Sequence, residues 1–97
     1  MKKVPATYIM ANRFRGVIYV GVTSNLIKRT WQHKNSVFKG FTSRYNVHRL
    51  VYYEFHATMW DAIRAEKRLK HGLRCQKVAL IERNNPSWDD LYPKIIG

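Results

Sequence analysis

Glu66 is the residue whose position most needs a chemical explanation. Met59, Ala62, Ile63 and Leu69 form the apolar stripe of a helix, and Glu66 falls three or four residues from the last three of them. It therefore shares their inward face, where a carboxylate is costly unless a cation or hydrogen bonds compensate it. An internal arginine is one candidate partner. A divalent cation held by one carboxylate and by substrate phosphate is the other. Arg29 and His33, four residues apart, are neighbours on the face of an earlier helix. A guanidinium forks onto phosphate and an imidazole exchanges a proton near neutral pH, although the same spacing also suits a solvated face. Tyr8 and Tyr19 form a third pair, on two adjacent strands. A four-residue turn from Asn12 to Arg15 sets them directly opposite each other, and a five-residue turn puts them on opposite faces of the sheet.

The remaining candidates have plainer readings. Asp61 suits the first turn of its helix. His71 and Cys75 stand at helical spacing, but Gly72 between them ends the helix, so Cys75 reads as a packed thiol. Trp31, Trp60 and Trp88 are spread out and read as core residues. No cysteine and histidine spacing fits structural zinc, and there is no phosphate-binding glycine loop.

Positioning these side chains requires a definite order of elements. Ala6 to Ala11 and Val17 to Val22 are rich in β-branched and aromatic residues and flank Asn12-Arg13-Phe14-Arg15-Gly16, a hairpin turn. Thr23 or Ser24 can cap a helix running to about Asn35, with Leu26, Ile27 and Trp31 inward. A basic connection from Ser36 to Val47 leads to a third strand, roughly His48 to Phe55. Thr58 can cap a helix through Lys70 that Gly72 closes, and a last helix covers Arg74 to Arg83 before Asn85-Pro86. The order predicts a single α/β domain over residues 1–97, a three-stranded and largely antiparallel sheet flanked by helices.

The charge points to the partner. The 97 residues carry 18 Lys or Arg against 6 Asp or Glu, a net charge of +12, with every acid in residues 54–97. So basic a surface calls for a polyanion, and nucleic acid is favoured over a membrane, because no apolar run approaches the roughly 20 residues of a membrane span. Lys2 and Lys3 precede too short an apolar run for a signal peptide, and one cysteine suits a reducing compartment. A cytoplasmic protein is expected, nucleoid-associated if the chain is bacterial.

Taken together, these residues resemble the GIY-YIG nuclease superfamily. Ala6-Thr7-Tyr8 stands where that family has Gly-Ile-Tyr, and Tyr19-Val20-Gly21 where it has Tyr-Ile-Gly. Arg29 falls at the family's helix arginine, His33 one turn later where members carry His or Tyr, and Glu66 at the metal-binding glutamate. The similarity extends to small single-domain members that resemble the nuclease module of the bacterial excision-repair endonuclease. It continues through Leu50-Val51-Tyr52-Tyr53-Glu54 and Ala79-Leu80-Ile81-Glu82 to Asn85-Pro86-Ser87-Trp88. Where many members have an asparagine after the glutamate helix, Lys77 and Val78 stand here.

The resemblance implies the hairpin register in which both tyrosines face one site, and a metal-dependent endonuclease hydrolysing DNA phosphodiester bonds, with structure-specific cleavage in repair or processing. It casts Tyr8 as a phenolate accepting a proton from water with help from His33, and Tyr19 as orienting water or phosphate. Arg29 clamps the phosphoryl oxygens, and one Mg²⁺ or Mn²⁺ sits on Glu66. Lys28, Lys34, Lys39, Arg44 and Arg49, with His48, are the expected backbone contacts, DNA ahead of RNA, and a protein partner is one route to targeting. The alternatives are a catalytically weak or inactive nucleic-acid-binding module, whose affinity falls steeply with salt, and a protein-interaction adaptor.

Overall fold

The computed structural model describes residues 3–37 and 40–97. Three strands, β1 (Ala6–Ala11), β2 (Ile18–Thr23) and β3 (Arg49–Phe55), form one antiparallel sheet in the order β2-β1-β3. β1 is the central strand, and all six of its residues are buried. Its alternating side chains seed two cores. Ala6, Tyr8 and Met10 pack with Leu26, Val47 and Leu50 on one face; Ile9 and Ala11 pack with Val20, Val51, Ile81 and Trp88 on the other.

Helices cover both faces. On the Tyr8 face lie α1 (Leu26–Lys34) and the short α5 (Tyr92–Ile96), which contributes Ile95. On the Ile9 face lie α3 (Met59–His71) and α4 (Arg74–Asn84), which supply Leu69, Val78 and Ile81. A single turn, α2 (Phe41–Arg44), forms within the basic connection. Neither α2 nor α5 follows from the apolar periodicity, because each is too short to carry a repeating stripe. Among the described residues no helix is long and apolar enough to cross a membrane.

The expected elements form, with informative shifts. The α1 cap is Asn25, whose side chain accepts from the Lys28 amide, rather than Thr23 or Ser24. Thr23 instead braces the turn, its hydroxyl accepting from the Asn25 amide. Thr58 caps α3 and Gly72 follows its last turn. The β1–β2 connection spans residues 12–17, two more than the four-residue turn. Asn12 closes it by accepting from the Val17 amide at 2.8 Å.

That even slip preserves the face of every side chain. Tyr8 therefore lies opposite Gly21, and Met10 opposite Tyr19. The two tyrosines become diagonal neighbours on one face, with ring centroids 6.4 Å apart. On the other side of β1 the pairing jumps from Ile9–Tyr52 to Met10–Leu50. Val51 is the extra residue of this bulge, which lets Val51 and Tyr52 both serve the Ile9 core while Leu50 and Tyr53 serve the Tyr8 core.

Two tryptophans depart from the core reading. Trp88 is fully buried, whereas Trp31 is 51% and Trp60 77% exposed. On α1 the buried stripe is Leu26, Thr30 and His33, which turns Trp31 to the flank. Cys75 is likewise exposed, at the first turn of α4, rather than packed.

Candidate active site

The site grows from the middle of β1. Tyr8 is 1% exposed, and its phenol is 2.9 Å from His33 Nε2. His33 reaches it because α1 crosses this face with Leu26 buried two turns earlier and Thr30 one turn earlier, the Thr30 hydroxyl donating to the Leu26 carbonyl at 2.7 Å. The other imidazole nitrogen, Nδ1, lies 3.2 Å from Thr42 Oγ1 on α2. A neutral imidazole donates through one nitrogen and accepts through the other, so Tyr8, His33 and Thr42 form a one-directional hydrogen-bond chain. Tyr19 completes the cluster, its ring centroid 5.4 Å from that of His33.

The electrostatics of the cluster are set by burial. His33 is pushed down to about 4, first by burial, then by the charge of Arg29 one turn earlier and by His48. It is therefore neutral at physiological pH. Tyr8 is pushed well above the ordinary tyrosine range, mainly by burial, with Tyr19 and Glu66 adding to the rise and Arg29 opposing it. This corrects the expected phenolate. Desolvation outweighs the nearby guanidinium, and Tyr8 is a neutral phenol able to donate.

Glu66 is on the inward side of α3, as its spacing requires, with its side chain 13% exposed. Its partner is Lys70, one turn later, at 2.9 Å, not an arginine. The carboxylate is near enough for its charge to act on Tyr8. Among the described residues no three His, Cys, Asp or Glu side chains converge on a common point. The donor set here is one carboxylate already holding a cation, which suits a hard ion that keeps waters and takes phosphate oxygens, and does not suit zinc.

Tyr8, Tyr19 and His33 are thus in mutual contact, and the charges of Arg29 and Glu66 both reach Tyr8. The expected phosphate contacts divide. Lys28 is exposed beside Arg29 in a polar cleft of about 190 Å³, together with Ser24, Gln32 and Lys3. Lys3 was missed because nothing in its sequence surroundings links it to α1. Arg44 is exposed, its guanidinium over the Tyr45 ring. Lys39 lies outside the described residues.

Lys34 and Arg49 are committed internally instead. Lys34 pairs with Asp90 and donates to the His48 carbonyl, and Arg49 donates to the Trp88 carbonyl at 3.1 Å. Both are drawn in because the 85–91 segment closes the outer edge of β3. There Asp90 accepts from the Leu50 amide and Asn85 donates to the Val51 carbonyl. His48 is held at 3.2 Å from the Ser36 hydroxyl.

The altered first signature also has a structural use. Thr7 is completely buried on the Ile9 face, and its hydroxyl donates to the Ala62 carbonyl of α3 at 2.8 Å. With that proton spent, His56 Nε2, 3.1 Å away, is the donor to Thr7. A threonine here fastens the glutamate-bearing helix to the tyrosine-bearing strand. Thr42, the partner of His33 Nδ1, was also missed, since it is nine positions from His33 in a stretch without periodicity.

A family model for the GIY-YIG catalytic domain matches residues 4–78, from two residues before β1 into α4. A UPF0213 protein from Pediococcus pentosaceus is 30% identical over 74 residues, 76% of this chain and 78% of that protein. No solved structure matches the chain. The matched segment contains Tyr8, Tyr19, Arg29, His33 and Glu66 within a three-stranded antiparallel sheet flanked by helices, and the chain belongs to the GIY-YIG nuclease family.

Proposed function

We propose that the protein is a metal-dependent endonuclease that hydrolyses phosphodiester bonds in DNA, during repair or processing. The reading rests on one observation: a buried phenol 2.9 Å from an imidazole that burial keeps neutral. A solvated polar face has no use for such a pair. A hydrolase needs it, because water must lose a proton as it attacks phosphorus.

Tyr8 receives that proton on Oη while its own phenolic proton passes to His33 Nε2, and Nδ1–H continues to donate to Thr42. Charge therefore never rests on a buried phenolate. The substrate strengthens the acceptor. An arriving phosphodiester brings negative charge beside His33 and occupies the Arg29 fork, and both effects raise the imidazole's affinity for a proton. Arg29 and Lys28 bind the phosphoryl oxygens, whose charge grows as water adds. Tyr19, diagonal to Tyr8, orients the water or the phosphate. The P–O bond opposite the attacking water breaks, and the departing alkoxide takes a proton from solvent. A Mg²⁺ or Mn²⁺ ion would be held by Glu66 and would supply positive charge to offset the negative charge that grows on the phosphoryl group.

Supercoiled, single-stranded, flap and branched DNA, and RNA, incubated with Mg²⁺ or Mn²⁺ and with a chelator, test this reading. Cleavage that the chelator abolishes and that Glu66→Ala lacks is expected. Retention on nucleic acid without cleavage under any metal condition would reduce the chain to a binding module.

A further inference from the structure

A second cleft adjoins Tyr19 on the side of α3 and α4. It has a volume of about 370 Å³, a floor made by Ile18 and Val20 of β2, and a wall made by Lys70, Arg74 and Lys77. None of these three cations was among the contacts expected from the sequence. Lys70 is neutralised by Glu66. Arg74 and Lys77 are not neutralised: no carboxylate pairs with either among the described residues. Their partners are neutral carbonyls. Arg74 Nη2 donates to the carbonyls of Arg15 and Gly16 at 2.9 and 2.6 Å, and Lys77 Nζ donates to Gly72 at 2.7 Å.

These bonds fix two charges in place without cancelling them. Arg15, beside Arg74, is treated differently, since Glu82 holds it by two hydrogen bonds of 2.8 Å. Two fixed, unneutralised positive charges along one open cleft attract an anion. The apolar floor of the cleft selects one with an apolar body, as the sugars and bases of a polynucleotide provide and a free phosphate does not. Tyr19 lines this cleft and also stands against His33 on the other face of β2, so a strand seated there reaches the proposed site by rounding this edge strand.

We propose that this cleft seats the nucleic-acid strand flanking the cleaved bond, with Arg74 and Lys77 as its phosphate contacts. The inference rests on the nuclease reading, and it gives the substrate a direction. The strand leaves the Arg29 and Lys28 side, crosses the tyrosines, and continues along β2 toward the start of α4.

The test is binding, not cleavage. Fluorescence anisotropy of labelled single-stranded and duplex oligonucleotides is followed over a salt series, in a chelator so that nothing is cut. The proteins are wild type, Lys77→Gln, Arg74→Lys, the double variant Arg74→Gln/Lys77→Gln, and Lys94→Gln, exposed on α5, as a control for net charge. Each lost phosphate contact lowers the salt slope by about one. Lys77→Gln is therefore expected to lose about one, the double variant about two together with about tenfold in affinity at low salt, and Arg74→Lys neither. If Arg74→Gln loosens the hairpin and the double variant melts early, Lys77→Gln and Arg74→Lys carry the test alone. Slopes matching the Lys94→Gln control would overturn this strand path while leaving the nuclease reading intact. Absence of nucleic-acid binding by the wild type would overturn both.

Discussion

The phenol of Tyr8 lies over the bare α-carbon of Gly21, its partner across β1 and β2. A methyl group on residue 21 would come within 2.5 Å of both Cζ and Oη of Tyr8. The ring cannot swing away, because it is 1% exposed and hydrogen-bonded to His33. Gly21→Ala should therefore destabilise the fold by about 1–3 kcal/mol through overpacking, and should lower cleavage more steeply than stability because it displaces the hydroxyl. Thermal melts and nicking assays on the same preparation check this. Unchanged activity in Gly21→Ala would mean that the position of the phenol does not matter.

The direction of the Tyr8–His33–Thr42 chain can be observed directly. Tyr8 is a donor because burial keeps its phenol protonated, so His33 should carry its proton on Nδ1 and leave Nε2 bare. Nitrogen-15 NMR of labelled histidine distinguishes the two tautomers. Thr42→Val removes the acceptor for Nδ1–H and should lower the cleavage rate with little change in substrate affinity. The opposite tautomer in the wild type would exclude the relay.

His33 also makes stability depend on pH in a definite window. Its affinity for a proton is lower folded, at about 4, than unfolded, at 6.5, through burial and the charges of Arg29 and His48. The unfolded chain therefore binds more protons between those values, and stability falls as pH drops from 6.5 toward 4. His33→Gln should flatten the melting temperature across that range. A second decline belongs to Glu82, held at about 2 by hydrogen bonds from Arg15 and Trp88; its contribution is present above 4.5 and is lost as pH falls toward 2. A His33→Gln profile identical to wild type between pH 6.5 and 4 would contradict the assignment.

Lys70 and a divalent cation compete for one carboxylate. An i, i+4 pair of a half-exposed ammonium and a mostly covered carboxylate is worth about 1 kcal/mol, so Lys70→Gln should tighten Mn²⁺ binding at Glu66 by about fivefold. Titration followed by electron paramagnetic resonance reads this, with Lys67→Gln, exposed on the same helix, controlling for net charge. Weaker binding in Lys70→Gln would mean that the ammonium orders Glu66 for the metal rather than excluding it.

Periodicity and spacing make much of this arrangement legible in the sequence itself. The inward place of Glu66 follows from the Ala62, Ile63 and Leu69 stripe, and the proximity of Arg29 and His33 follows from helical spacing. The Tyr8–Tyr19 relationship was half legible. The face depends only on whether the turn length is even, whereas the partner depends on Asn12, whose side chain closes a connection longer than the common hairpin turns. Thr42, Lys3 and the Arg74–Lys77 cleft were not legible, since each joins elements distant in sequence. Trp31 misled because the α1 stripe is occupied by Thr30 and His33, polar residues that local hydrogen bonds make acceptable in the interior. Lys34 and Arg49 looked like surface charges until the 85–91 segment supplied Asp90 and the Trp88 carbonyl.

The central claim is that Tyr8 moves the proton of the attacking water, and a single hydroxyl tests it. Tyr8→Phe keeps the ring over Gly21 and removes only Oη, so circular dichroism and the melting profile should stay close to wild type. Nicking of supercoiled DNA should then be measured for both proteins at saturating Mg²⁺ and again at saturating Mn²⁺, with a chelator control. The account predicts chelator-sensitive nicking by the wild type and a loss of about 10²–10⁴-fold in Tyr8→Phe, the range for a general acid–base group. Equal nicking by a folded Tyr8→Phe would contradict it.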